Sequence, residues 1–193
     1  RAHAPSSCRN AGRGTRISRR RVVNALLDTH ATSTLDEALA WQALSHVLDP
    51  EVPVLSVVEL GIVRSVAVHA GVVQVSVTPT YSGCPATEVI QHDIRAALLR
   101  AGALEVRIEL KFAPAWTTDW ISPEAAEKLR RYGIAPPHAA NPIQPLKFHA
   151  RQLHCPQCNS TRTERLSEFG STACKALYRC LACREPFDYF KPI

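Results

Sequence analysis

The chain has 193 residues, which suits one or two small domains and is too short for a large α/β barrel enzyme. Hydrophobic residues make up 46% and charged residues 21% of it, so wholesale disorder and a collagen-like repeat are excluded. No apolar run is long enough to cross a bilayer, and we therefore expect a soluble protein with no membrane partner.

The formal net charge of +6 is confined to the first part of the chain. Residues 1–34, which we call the leader, hold seven arginines and one acid, so the rest of the chain has no net charge. The leader has the composition of a transit peptide, but it equally suits a disordered tail or a stretch translated from upstream of the true start. The neutral remainder gives little support to nucleic-acid binding.

A helix and then a β-hairpin are predicted after the leader. Thr34 followed by Glu37 is a capping box, and apolar residues at helical spacing predict a helix over 35–48. Two valine-rich runs, 62–68 and 72–77, are separated by a short turn segment and predict antiparallel strands.

A second helix and a third strand follow the hairpin. Pro85 suits the first position of a helix whose apolar stripe stops at Gly102. Residues 104–112 alternate between apolar and charged side chains, which predicts a strand with one buried face. The order helix, strand, strand, helix, strand predicts a compact α+β domain with its helices on one face of a small sheet.

The rest of the chain predicts a short helix, a linker and a cysteine-rich end. Ser122 caps a helix that Gly133 ends, and the four prolines that follow are typical of a semi-rigid linker. We therefore predict four segments: a disordered basic leader 1–34, an α+β domain 35–133, a proline-rich linker 134–150 and a metal ribbon 151–193.

Four of the seven cysteines form two Cys-x-x-Cys pairs, namely Cys155 with Cys158 and Cys180 with Cys183. Thiolates two residues apart converge from one tight turn, and two such turns complete a tetrahedron around a soft divalent ion. Asn159 tolerates the left-handed backbone that such a turn often requires. Because protein fills all four positions, we predict a structural zinc ribbon, with a four-thiolate iron site as the alternative.

Cys84 lies between Gly83 and Pro85, where the free amides and the dipole of the following helix favour a thiolate. A small buried cysteine that fills a gap is equally consistent with this position. A thiol hydrolase would need a histidine base, for which the sequence offers His46, His69 and His92.

Two further groups of polar and aromatic residues have more than one interpretation. Asp49 and Glu51 lie in the bend after the first helix, where carboxylates either bind a hard cation or simply end the helix. Trp116, Asp119 and Trp120 follow the third strand. They form either a lid over the small core or a partner surface.

Several motifs together resemble known families. Three motifs resemble the small domain of SufT-like and cytosolic iron-sulfur assembly factors. They are Asp49-Pro50-Glu51, Glu59-Leu60-Gly61 and the segment from Thr78 to Pro85. Three further features resemble the D-subunit family encoded with bacterial phenylacetyl-CoA monooxygenase (epoxidase). They are the segment from Pro114 to Trp120, the ribbon and the segment from Phe169 to Lys175. The similarity covers residues 35–193.

The resemblance implies a cytoplasmic accessory protein that assembles iron or iron-sulfur centres of a ring-epoxidising oxygenase. Its clients would be the reductase, which carries a plant-type iron-sulfur centre, or the di-iron oxygenase. Cys84 would be a reactive thiol for a transient cluster, with Asp49, Glu51 and Thr80 around it. Because one chain offers one thiolate there, further ligands would come from a second subunit or a client. Cys174 belongs to the family pattern, but a metal with four thiolates does not need it.

Three functions are therefore open. The first, which the resemblance favours, is an assembly factor in which Cys84 handles metal. The second is a non-catalytic docking subunit of the same oxygenase, in which Cys84 only packs. The third is a zinc-ribbon protein that binds nucleic acid, which the neutral charge after residue 34 makes a poor candidate. In none of the three is the chain an enzyme by itself.

Overall fold

The computed structural model describes residues 35–81, 83–137 and 153–192, so the predicted leader at 1–34 lies outside the described residues. The described residues belong to one compact unit. Its helices are α1 (Glu37–Leu44), α2 (Ala86–Arg100) and α3 (Pro123–Tyr132), with a 3₁₀ turn at Thr118–Trp120. Its strands are β1 (Val63–His69), β2 (Val72–Val77), β3 (Glu105–Leu110), β4 (Ile134–Ala135), β5 (Thr163–Ser167), β6 (Lys175–Cys180) and β7 (Pro186–Phe190). Within these ranges no helix is both long enough and apolar enough to span a membrane.

The first sheet has the strand order β1-β2-β3. β1 and β2 form the predicted antiparallel hairpin, with Val66 opposite Val75, and β3 pairs parallel to β2, with Ile108 opposite Val75. A parallel pair needs a crossover, and α2 provides it. The side chains of α2 that join the core are Ala86, Ile90, Ile94, Ala97 and Leu98. The predicted α+β class is therefore confirmed.

The first helix is shorter than predicted at both ends. Thr34 of the predicted capping box lies outside the described residues, and the observed N-cap is Asp36, whose carboxylate accepts a backbone hydrogen bond of 2.8 Å. The helix ends at Leu44, because the chain then turns so that Leu48 can form an isolated antiparallel bridge with Ser56. That bridge brings the bend after the helix back against the core.

The third strand follows its predicted alternation only in part. Val106 is buried and Ile108 is half-buried, but Leu110 and Phe112 are exposed. Because Leu110 pairs with Val77, the last residue of β2, the chain beyond it has no strand beside it in the described sheet. The predicted strand therefore ends two residues early, and the prediction of one buried face is wrong at Leu104, Leu110 and Phe112, which are exposed.

The second sheet, with the order β4-β7-β6-β5, contains the ribbon and also a strand from the predicted linker. Helix α3 starts after the Ser122 cap and ends at Gly133 with φ of +95°, as predicted. The next two residues, Ile134–Ala135, then pair parallel to β7. The predicted linker from residue 138 onward lies outside the described residues.

One hydrophobic core is shared by residues of both sheets. Phe190, at the end of β7, is among the largest fully buried side chains, and its ring centroid lies 6.1 Å from that of Trp116. Cys174, which directly precedes β6, is part of the same core. The ribbon therefore packs on the α+β elements rather than standing apart from them.

Candidate functional site

The four ribbon cysteines converge at one end of the second sheet, with all four Sγ atoms within 4.8 Å of one another. The Sγ atoms of Cys155 and Cys183 are 3.7 Å apart, and those of Cys158 and Cys180 are 3.6 Å apart. A tetrahedral zinc ion with Zn–S bonds of about 2.3 Å needs sulfur separations of about 3.8 Å. The arrangement therefore fits a four-thiolate metal ion, as the spacing predicted.

The backbone of the two Cys-x-x-Cys turns explains why the sulfurs converge. Asn159 and Arg184 each directly follow a pair, and their φ angles are +59° and +67°. The left-handed conformation that the sequence suggested at Asn159 is therefore present. Hydrogen bonds from the backbone of Cys183 and Ala182 lower the pKa of the Cys180 thiol to about 6. This sulfur is consequently prepared to bind a metal as a thiolate.

A second group of candidate side chains surrounds a small cavity in the shared core. The residues that the resemblance placed together, Cys84, Asp49, Glu51 and Thr80, all line this cavity. Its volume is about 20 Å³, which is roughly the space that one water molecule or one ion needs. The structure therefore brings these residues together, and their roles stay predictions.

The turn between β2 and α2 holds Cys84, which is half-buried. Its N–H donates to the carbonyl of Tyr81 at 3.3 Å, and its carbonyl accepts a hydrogen bond of 3.1 Å from Thr87. The helix begins at Ala86, so Pro85 is the N-cap rather than the first helical residue. Burial and the adjacent Cys84 raise the pKa of the Tyr81 phenol, which therefore stays neutral beside the thiol.

Asp49 is a buried carboxylate, 6% exposed, in the bend after α1. Its Oδ1 accepts hydrogen bonds from the N–H groups of Glu51, at 2.8 Å, and Val52, at 2.9 Å. Burial raises the pKa of this carboxyl group. The same side chain thus forms the helix-ending turn and lines the cavity.

Sequence reasoning missed Cys174 and Thr172, which line the same cavity from the ribbon loop between β5 and β6. Cys174 is 7% exposed, and its Sγ lies 3.1 Å from the Thr172 hydroxyl. Burial raises the pKa of the Cys174 thiol. The available signal was a cysteine that the ribbon metal does not need, but no local pattern says that it shares a cavity with Cys84.

Lys175 fastens this ribbon loop to the carboxylate bend. Its buried ammonium donates a hydrogen bond of 3.1 Å to the carbonyl of Glu51 and lies 3.7 Å from the Asp188 carboxylate. The carbonyl of Cys174 accepts a hydrogen bond of 2.9 Å from the N–H of Lys191. These contacts fix Cys174 relative to the bend that carries Glu51.

The residues of the aromatic segment after β3 differ in whether they form a lid over the core or are available as a partner surface. Trp116 is 3% exposed, and its indole N–H donates to the carbonyl of Leu60 at 2.8 Å. It packs against Phe190, so Trp116 is part of the lid and its assignment to a partner surface is wrong. Asp119 is exposed and Trp120 is half-buried, so a partner surface at these two residues stays a prediction.

The thiol-hydrolase alternative finds no base at the cavity, because the described residues that line it include no histidine. His46 lines a different cavity, and its Nδ1 is 2.8 Å from the carbonyl of Gln42. His69 is the last residue of β1, and His92 lies on α2. None of the three candidate histidine bases therefore lines the cavity that Cys84 lines.

Two families match different parts of the sequence. A family described as iron-sulfur cluster assembly protein matches residues 37–110, and one described as the PaaD zinc beta ribbon domain matches residues 139–191. The first match contains Cys84 and the carboxylate bend. The second contains the four ribbon cysteines and Cys174.

Known proteins that are similar in sequence match either most of this chain or only its first part. A protein of Escherichia coli (strain K12), provisionally named as the D subunit of 1,2-phenylacetyl-CoA epoxidase, is 51% identical over 155 residues, which are 79% of this chain and 91% of that protein. An Fe-S protein maturation auxiliary factor of Porphyromonas gingivalis is 41% identical over 88 residues, 45% of this chain and 83% of that protein. A solved domain of unknown function from Bacillus anthracis is 26% identical, with a TM-score of 0.46, and the match covers 48% of this chain and 90% of that one.

Proposed function

Because this chain belongs to the D-subunit family of 1,2-phenylacetyl-CoA epoxidase, we propose that it is an accessory protein of phenylacetate catabolism that helps to load iron or iron-sulfur centres into components of that oxygenase. The observation that carries the proposal is the cavity at Cys84. A thiol and two carboxyl-bearing residues of the part that matches the assembly family line a space for one ion. Thiolates and carboxylates are both ligands that iron accepts.

The ribbon metal has a different role in this proposal. We assign it as zinc, because four thiolates leave no open position for substrate and give the tetrahedral geometry of structural sites. The metal would order the turn from Cys180, which ends β6, to Cys183, which precedes β7. The opposite ends of these two paired strands lie at the cavity, with Cys174 directly before β6 and Phe190 at the end of β7. The ribbon is therefore the support of the site rather than the site itself.

The clients that we propose are the reductase component, with its iron-sulfur centre, and the di-iron oxygenase component. Free thiols at Cys84 and Cys174 suit a reducing compartment, and we place the protein in the cytoplasm. The second subunit that would supply further ligands at Cys84 would be a second copy of this chain, so we also propose a homodimer.

The test is co-expression of both clients with the wild-type chain, without it, with a Cys84→Ala variant and with a Cys8→Ala control. Cys8 lies in the leader, so this control removes a thiol outside the described residues. Iron and acid-labile sulfide are then measured in each purified client. We expect the client to lose metal without the chain and with Cys84→Ala, and to keep it with Cys8→Ala.

A docking subunit is the second candidate, because the edge strand β3 and the residues after it expose Leu110 and Phe112. Docking predicts that both clients keep full iron and sulfide in all four co-expressions, and that only oxygenase turnover falls without the chain. That result would contradict the assembly proposal. Loss of sulfide from the reductase would identify cluster assembly, whereas loss of iron from the oxygenase alone would identify the di-iron site.

A further inference from the structure

We propose that Cys84 and Cys174 act together as two thiolate ligands of a single soft divalent metal ion, Fe²⁺ in the working protein, in the cavity that both line. The inference rests on the proposed function and makes it more specific. It assigns a role to Cys174 and changes the expected ligand count, because one chain then supplies two thiolates rather than one. It also names a single ion, rather than a preformed cluster, as what the cavity takes.

Cys174 cannot serve the ribbon metal. It precedes the first residue of β6, whereas Cys180 is the last residue of that strand. An extended chain rises about 3.3 Å per residue, so the two ends are about 20 Å apart. The structure instead places Cys174 in the core that contains the α+β elements, while Cys180 packs in the small cluster of the ribbon.

The cavity joins the two thiols across the two sheets. Cys84 comes from the turn before α2, and Cys174 comes from the loop before β6. Asp49 and Glu51 line the same space, so oxygen donors are available to complete the coordination. A volume of about 20 Å³ accommodates one ion or water molecule, whereas a cluster of several iron and sulfide ions needs more room.

The arrangement is an open site. Among the described residues, three or more metal-ligating side chains bring their donor atoms within 4.8 Å of one another at one place, the four ribbon cysteines. The described side chains around the cavity form no such set of three, so an ion held by the two thiols keeps positions open for a further ligand. Each thiol that binds the ion gives its proton to solvent, and iron stays in the divalent state.

The test uses the full chain, kept anaerobic and reduced, with the ribbon loaded with one equivalent of Zn²⁺. Co²⁺ serves as the spectroscopic probe, because its thiolate-to-metal charge-transfer band gains intensity with each Co–S bond, and Fe²⁺ binding is measured by equilibrium dialysis. We expect wild type to bind one ion beyond zinc, with a band roughly half as intense as that of Co²⁺ in the four-thiolate ribbon, because two soft ligands replace four.

The variants are Cys174→Ser, Cys84→Ser and the control Cys8→Ser. Cys174→Ser and Cys84→Ser should each halve the Co²⁺ band of the second site and weaken Fe²⁺ binding by more than about tenfold. Loss of a residue outside the coordination sphere already lowers metal affinity by about 10–100-fold, so loss of a ligand should lower it at least as much. Retention of one zinc per chain shows that each variant is folded. If Cys174→Ser does not fold, the number of thiolate ligands can still be read from wild type, by comparing the intensity of its second Co²⁺ band with that of Co²⁺ in the four-thiolate ribbon.

Two results would overturn the inference: no second ion in wild type, or a full wild-type band in folded Cys174→Ser. The client assay separates this failure from that of the proposed function. If Cys84→Ser lowers client iron while Cys174→Ser does not, assembly stands and the second ligand is wrong. If client iron does not depend on the chain at all, the proposed function fails, whatever the cavity binds.

Discussion

The two cysteine sites of this chain differ in how many thiols converge, and we use the difference to test whether one site is structural and the other exchangeable, as proposed. In the ribbon, four sulfurs from two tight turns lie within 4.8 Å of one another, which is enough to fill a tetrahedral site. At the cavity, Cys84 from the turn before α2 and Cys174 from the loop before β6 share a small space with carboxylates. A ribbon metal should therefore support the fold, whereas the cavity should be dispensable for folding and necessary for function.

The largest effect that tests this comparison is expected from Cys180→Ser. The variant should no longer bind one zinc ion per chain and should lose most of its cooperative unfolding transition. Structural zinc contributes on the order of 10 kcal/mol to the free energy of folding, and β6 begins directly after Cys174 of the shared core. Zinc content and thermal unfolding followed by circular dichroism measure it. Cys84→Ser is the matched control and should keep both zinc and the transition. Equal destabilisation by the two variants would contradict the comparison.

Phe190→Ala tests whether the ribbon and the α+β elements unfold together. The side chain is fully buried against Trp116, so its loss should lower the free energy of unfolding by about 3–5 kcal/mol. Phe169→Ala is the control, because Phe169 is 62% exposed and its removal should change stability by less than about 1 kcal/mol. Urea unfolding measures both variants. Two separate transitions in wild type would show that the halves are independent after all.

Gly61→Ala tests the packing of the aromatic segment on the α+β elements. The φ angle of Gly61 is +68°, and an added Cβ would lie 2.9 Å from the Cβ of Trp120. Strain and clash together should cost about 1–3 kcal/mol. Gly102→Ala meets no atom within 4 Å, but its φ of +106° lies outside the left-handed region that L residues adopt, so it carries at least as much backbone strain without a clash. Thermal unfolding measures both variants. We expect Gly61→Ala to lose more stability than Gly102→Ala, and a smaller loss at Gly61 would contradict the clash with Trp120.

Asp49→Asn should have the smallest effect on stability. The amide oxygen can still accept the two backbone hydrogen bonds, so the change at pH 7 should stay within about 1 kcal/mol. Because burial raises the pKa of Asp49 above 3.8, the native state binds more protons than the unfolded state between these two pKa values. Within that window, this carboxyl makes wild type less stable as pH rises.

The measurement for Asp49→Asn is urea unfolding at several pH values, together with the Fe²⁺ dialysis. The variant should lack the share of the pH dependence that comes from Asp49, and it should bind Fe²⁺ more weakly, because it has lost an anionic donor. A large loss of stability with unchanged binding would place Asp49 with the structural residues. That result would remove the carboxylate from the cavity site.

The sequence predicted the features that depend on neighbours in the chain. The Ser122 cap, the Gly133 end of α3 and the two Cys-x-x-Cys turns are local, and the structure contains them. Trp116 could not be assigned, because a lid and a partner surface have the same composition and differ only in what covers the ring. Cys174 could not be placed near Cys84, because that proximity depends on how two sheets pack rather than on any local spacing.

The position of Phe190 also sets the order in which the cavity is completed during synthesis. Phe190 lines the cavity and belongs to β7, which follows every other described strand along the chain. A nascent chain that already contains Cys84, Asp49 and Cys174 still lacks this wall. The cavity that Cys84 and Cys174 line is therefore closed only after the ribbon turns have been made, so a growing chain does not yet contain it complete.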